Sequence, residues 1–93
     1  MVVAKYVPYA EVYTSSNTIH RRFLHEVDDE DLCWHRDEQD REVRVLEGSN
    51  WKLQLDNQLP IVLEHGNVYG IPKEKYHRLI KGDKDLVVEI TLK

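Results

Sequence analysis

The sequence is short of cysteine, of long apolar runs and of clustered positive charge, and each shortage excludes a class of protein. Its one cysteine, Cys33, rules out a framework of internal disulfides and is typical of a reducing, intracellular setting. No stretch approaches the roughly 20 apolar residues of a membrane span. The opening "MVVAKYVPYAEVY" is interrupted by charges and a proline, which is unlike a signal peptide. We therefore expect a soluble, cytoplasmic protein with no membrane partner.

Acidic residues outnumber basic ones, and the formal net charge is -4. The excess is concentrated in "DDEDLCWHRDEQD", which begins at Asp28 and has Arg36 as its only cation. Proteins that bind nucleic acid need clustered cations to displace counterions from phosphates. The sequence thus predicts no nucleic-acid partner, and the run Asp28 to Asp31 is interpreted as a solvated turn.

The length of 93 residues corresponds to one domain, predicted to span residues 1-93. Turn signals such as Gly48-Ser49-Asn50, Asp56-Asn57, Gly66-Asn67 and Gly82-Asp83 separate short segments with a period of two. The segments "REVRVL", "WKLQL" and "DLVVEITLK" are each predicted to be strands. The segments "PYAEVYTSS" and "PKEKYHRL" could form at most a turn or two of helix, because neither has a sustained apolar stripe. This pattern favours an all-β barrel or sandwich.

Two longer stretches resemble the sequence motifs of the cupins. The first cupin motif is Gly-x5-His-x-His-x3,4-Glu-x6-Gly, and "HRDEQDREVRVLEG" matches it at His35 and Gly48, with Asp37 at the second histidine position and Arg41 at the glutamate position. The second motif is Gly-x5-Pro-x-Gly-x2-His-x3-Asn. "GNVYGIPKEKYHRL" matches it at three positions, which are Gly66, Pro72 and His77. The resemblance covers about residues 29-81 and implies a cupin-like β-barrel, the double-stranded β-helix or jelly roll.

The alternation of side chains along "REVRVL" predicts the direction of Arg41 without reference to the family. If Arg41 points inward, Val43 and Val45 do too, and Glu42 and Arg44 point into solvent. The opposite phase would bury two charges, which costs several kcal/mol without partners. We therefore expect Arg41 to lie in the interior cavity.

The resemblance implies a divalent transition-metal site formed by His35, Asp37 and His77. Two imidazoles and one carboxylate are the ligand set of non-haem iron oxygenases, and iron, manganese, zinc or nickel could use these donors. Arg41 cannot lose its proton and so cannot be a ligand, but it could bind the anionic group of a small-molecule substrate. Gln54 is a weaker candidate for a substrate contact.

Three functions are consistent with the sequence. The first is a small metal-binding cupin, of the non-haem iron oxygenase type, that acts on a small anionic substrate. The second is a non-catalytic cupin that binds a small polar ligand through the same cavity without metal. The third is a structural or regulatory module that forms a homodimer through Trp51, Leu53, Leu55 and "LVVEITL". Independently of these functions, His35, Asp37 and Arg41 could form a purely structural hydrogen-bonded cluster that closes the mouth of the barrel, with His77 partly exposed.

Overall fold

The computed structural model describes residues 8-93, which form eight β-strands and one short 3-10 turn. The strands are β1 (Tyr9–Tyr13), β2 (Thr18–Phe23), β3 (Arg41–Glu47), β4 (Lys52–Leu55), β5 (Ile61–Val62), β6 (Val68–Ile71), β7 (His77–Ile80) and β8 (Leu86–Leu92). The 3-10 turn spans Asp29–Asp31. These described residues contain no α-helix. The two segments predicted to allow a helical turn instead contribute strands β1 and β7.

The strands form two antiparallel sheets. The larger sheet has the order β1-β2-β8-β3-β6, and the smaller has the order β5-β4-β7. Buried side chains of both sheets, such as Ile90 of β8 and Leu53 of β4, belong to one hydrophobic cluster. The all-β prediction is confirmed, although the sheets of residues 8-93 remain separate and do not close into a single hydrogen-bonded barrel.

The turns fall where the sequence predicts them. Asn57 lies in the tight connection between β4 and β5, with φ of 61°. Gly66 precedes β6 with φ of 82°, a backbone conformation that glycine adopts without a steric penalty. Pro72 follows the last residue of β6, where its missing N–H costs no ladder hydrogen bond.

The core contains several of the residues that the sequence offered as a dimer surface. Trp51 is 0% exposed and Leu53 is 3% exposed, and Leu86, Val88 and Ile90 of β8 are buried with them. These five residues therefore cannot form an interface, because apolar side chains on the inner face of each sheet pack against each other instead. Leu55 and the alternate residues of β8 are only partly buried, so the interface prediction is not contradicted for them. Homodimer formation by another surface stays a prediction.

No helix among residues 8-93 has the length and apolar character needed to cross a bilayer.

Candidate metal centre

His35 and His77 face each other across a short antiparallel bridge. The segment that carries His35 lies beside β7, and the two residues exchange both backbone hydrogen bonds, with N–O distances of 3.0 and 2.8 Å. Directly opposed residues in such a pair project their side chains to the same face. The imidazole rings therefore meet, with 4.3 Å between their centroids.

The backbone fixes the tautomer of both histidines in the same way. Nδ1 of His35 lies 3.0 Å from the carbonyl oxygen of Cys33, and Nδ1 of His77 lies 2.9 Å from that of Lys75. A carbonyl oxygen can only accept, so each Nδ1 carries a proton, and in the neutral imidazole the free lone pair is then on Nε2. Histidine ligands of metal ions are commonly oriented by such a bond at the other ring nitrogen.

Asp37 completes the cluster. It lies two residues after His35, and one ligand atom from each of His35, Asp37 and His77 falls within 4.8 Å of the others. Zinc and similar ions bind such donors at about 2.0 to 2.2 Å, so the three atoms would have to move closer together to bind one ion. His35 is exposed and has room for this movement.

The carboxylate of Asp37 has an unsatisfied oxygen. Its Oδ2 lies 3.4 Å from His77 Nε2 and 3.4 Å from Arg41 Nε. Oδ2 and Arg41 Nε are both buried, and neither has a hydrogen-bond partner among residues 8-93. Buried polar atoms are nearly always paired, so the unpaired oxygen of Asp37 is a candidate ligand atom for an ion. Two imidazole lone pairs and a free carboxylate oxygen fit a divalent transition metal.

Burial of His77 favours its metal-binding form. The side chain is 5% exposed, and loss of hydration lowers its pKa below 6.5, with a further lowering by nearby His35 and Arg41. The hydrogen bond to Lys75 and the charge of Asp37 act in the opposite direction without reversing the shift. His77 is therefore neutral at pH 7 and available as a ligand. Its burial also contradicts the interpretation of His77 as a partly exposed histidine.

Arg41 points inward, as the alternation along β3 predicts. It lines the interior cavity together with Val43, whereas Glu42 and Arg44 are exposed. The only ion pair of Arg41 within residues 8-93 is the 3.4 Å contact with Asp37. Asp40, which precedes Arg41 in the sequence, instead accepts a hydrogen bond of 2.7 Å from the backbone N–H of Lys73.

A cavity of about 500 Å³ opens beside these residues, between the two sheets. His35, Asp37, Arg41 and His77 all line it, and most of its remaining wall is apolar. Small-molecule sites typically have this size and this mixture of an apolar wall with a few polar groups.

Gln54 does not belong to this group of residues. Leu53 of the same strand points into the cavity, so its neighbour Gln54 lies on the outer face of β4. There its amide accepts a hydrogen bond of 2.9 Å from Arg78 Nε and donates one of 3.1 Å to the carbonyl of Gln58. The prediction of Gln54 as a substrate contact has no geometric support, because the apolar face of "WKLQL" turned inward.

Sequence reasoning missed Arg21, a second cation of the cavity wall. Ile19, Arg21 and Phe23 alternate along β2 on its inner face, which is the signal that could have identified it. Arg21 Nε donates a hydrogen bond of 2.7 Å to Oε1 of Glu11 across the β1–β2 pair. The guanidinium of Arg21 also lies 3.9 Å from the centre of the Tyr9 ring.

Comparison with known proteins identifies the fold. No family model matches the chain, and no curated protein matches it in sequence. Among solved structures, an RmlC-like cupin family protein with a double-stranded β-helix fold from Methanocaldococcus jannaschii matches 96% of this chain and 81% of its own, with a TM-score of 0.70 and 13% identity. A DMSP lyase chain matches 82% of this chain with a TM-score of 0.71 and 16% identity.

Fe(II)-HppE, solved with the alternative substrate (S)-1-HPP, matches 82% of this chain with a TM-score of 0.64 and 15% identity. This chain spans only 37% of the DMSP lyase chain and 41% of the Fe(II)-HppE chain. At such identities the likeness establishes the fold alone. The resemblance to cupins that the two motifs indicate is confirmed at this level.

Proposed function

We propose that this chain is a single cupin-like domain, residues 1-93, that binds one divalent transition metal ion through His35, Asp37 and His77. The reaction class that we propose is oxygenation of a small anionic substrate by a non-haem iron-type centre. The observation that carries the proposal is the buried Asp37 oxygen, which has no donor among the described residues and lies beside two imidazoles with free Nε2 atoms.

A satisfied structural cluster is the alternative explanation for these residues. In such a cluster the Asp37 carboxylate would accept hydrogen bonds from His77 and Arg41, because a buried acceptor without a donor costs about 1 to 3 kcal/mol. Instead both contacts are 3.4 Å long and fail as hydrogen bonds. A cation between the three side chains would satisfy the oxygen and both lone pairs at once, which favours the metal-binding function.

In this function the metal-binding residues, Arg41 and the apolar wall of the cavity would have different roles. His35, Asp37 and His77 would hold the ion, which would supply Lewis acidity, and redox chemistry if it were iron. Arg41 would bind the anionic group of the substrate and orient it. The apolar walls of the cavity would exclude water from the remainder of the substrate.

Metal content tests this function. Protein expressed without an affinity tag that binds nickel, and purified without chelator, should contain close to one equivalent of iron, manganese, zinc or nickel by elemental analysis. His35→Gln and Asp37→Asn should each lose most of it, because two remaining ligands bind transition metals much more weakly.

His65→Gln is the matched control, since His65 is exposed and lies outside the cluster. It should retain the metal content of the wild type. Wild-type protein that contains no metal and binds none on titration would contradict the function, and a non-catalytic cupin would then be the better description. If metal binds, oxygen consumption in the presence of ferrous iron tests the reaction class.

A further inference from the structure

The cavity has two chemically different regions. Around the candidate metal centre the wall is polar, and Arg41 is its cation. Away from it, aliphatic side chains of both sheets form the wall, among them Leu53, Leu63, Leu79 and Ile90. A ligand that fits both regions has a polar head and an apolar body.

The guanidinium of Arg41 has donors that are available to a ligand. A guanidinium carries five N–H donors in a planar fork that matches a carboxylate. None of them makes a hydrogen bond to residues 8-93, and Nε is buried. Arg21 differs, because Glu11 already binds its guanidinium and the Tyr9 ring covers it. The head of the ligand is therefore expected at Arg41 and not at Arg21.

Negative charge elsewhere on the wall limits the ligand to one acidic group. Glu30 and Asp31 also line the cavity. Glu30 is exposed and Asp31 is half-buried, and neither forms an ion pair with any residue in the described range 8-93. A second carboxylate on the ligand would meet this repulsion without a free cation to offset it.

We propose that the cavity binds an aliphatic monocarboxylate, with its carboxylate on Arg41 and its hydrocarbon chain on the apolar wall. This inference deepens the proposed function, since it names the class of the anionic substrate, and it rests on that function for its catalytic meaning. The binding itself depends on Arg41 and the apolar wall, so it can be measured without metal.

A series of ligands of increasing length tests the proposal. Metal-free protein of residues 1-93 in chelator is titrated by calorimetry with acetate, butanoate, hexanoate and octanoate. Affinity should rise about fourfold for each methylene group until the cavity is filled, which corresponds to about 0.8 kcal/mol for each buried methylene. Octanedioate and 1-octanol should each bind at least about tenfold more weakly than octanoate.

Affinity that is independent of chain length would overturn the proposal. Equal binding of octanedioate and octanoate would overturn it as well, because the acidic wall would then have no effect. Arg41→Gln should lose at least about tenfold in octanoate affinity, and Arg41→Lys, which keeps the charge without the planar fork, should recover part of the loss. Unchanged binding by Arg41→Gln would contradict the placement of the carboxylate.

Asp37→Asn separates this inference from the proposed metal function. It removes the anion that lies 3.4 Å from Arg41 Nε, so octanoate should bind more tightly to the metal-free variant than to the wild type. The same change removes a proposed metal ligand, so metal binding should weaken. If Asp37→Asn binds octanoate more tightly but the wild type binds no metal, the carboxylate site is supported and the metal function is rejected. If the wild type binds metal and Asp37→Asn loses it without binding octanoate more tightly, only the carboxylate site is rejected.

Discussion

Acidification should destabilise the metal-free protein through His77. Burial lowers the pKa of His77 below 6.5, its ordinary value, so near pH 6 the unfolded chain binds protons that the folded chain does not. The contribution of His77 to the free energy of unfolding is fully present above pH 6.5, and it is lost as the pH falls from 6.5 toward the folded-state pKa. His77→Gln removes the titrating group and should remove this part of the pH dependence.

The size of the effect follows from the unfolded state. Between pH 7.5 and pH 5.5 an imidazole with an unfolded-state pKa of 6.5 contributes at most about 1.4 kcal/mol, which is reached if the folded protein takes up no proton. A chain of 93 residues has an unfolding entropy of about 0.2 kcal/mol/K. The wild type should therefore lose up to about 7 °C more in Tm than His77→Gln over this pH range.

Thermal unfolding followed by circular dichroism in chelator provides the measurement. Wild type, His77→Gln and His65→Gln are compared at pH 7.5 and pH 5.5, so that the other histidines contribute equally to each difference. His65→Gln should behave as the wild type, because His65 is exposed. If wild type and His77→Gln lose the same Tm, His77 is not desolvated in the folded protein and the reasoning is refuted.

Two further predictions concern the fold and the edge of the site. Gly82→Ala should destabilise the protein by about 3 kcal/mol, because a Cβ at this position would lie 2.6 Å from the backbone nitrogen of Trp51. Gly70→Ala is the control and should cost less than about 1 kcal/mol, since a Cβ there would meet open space. Equal urea midpoints for the two variants would contradict this account of the packing. Gln54→Ala should have the metal content and octanoate affinity of the wild type, since Gln54 lies on the outer face of β4. A loss of either would show that Gln54 contributes to the site.

Much of the fold and the candidate ligand set could be predicted from the sequence. Period-two alternation placed β3, β4 and β8, and the valines of β3 set the direction of Arg41 because apolar side chains must face the core. The helical turn allowed for residues 8-16 did not form. The backbone of this segment instead forms its hydrogen bonds with β2. A prediction from local propensity could not include this pairing, because it depends on a second strand.

The other differences have the same origin in distant partners. Alternation along β2 could have indicated the inward direction of Arg21, but its pairing with Glu11 depends on the register between β1 and β2. The run Asp28 to Asp31 is a largely exposed turn, as interpreted, and the sequence did not indicate that Glu30 and Asp31 of this turn also line the cavity. The burial of His77 follows from its place between β4 and the segment that carries His35, which no motif spacing specifies.

The most direct test of the central claim is a crystal structure of the metal-loaded protein, with anomalous diffraction recorded at the absorption edge of the bound metal. We predict one strong peak at about 2.0 to 2.2 Å from Nε2 of His35, Nε2 of His77 and a carboxylate oxygen of Asp37. A peak at the acidic turn Asp29–Asp31 instead, or no peak in protein soaked with excess metal, would contradict the account.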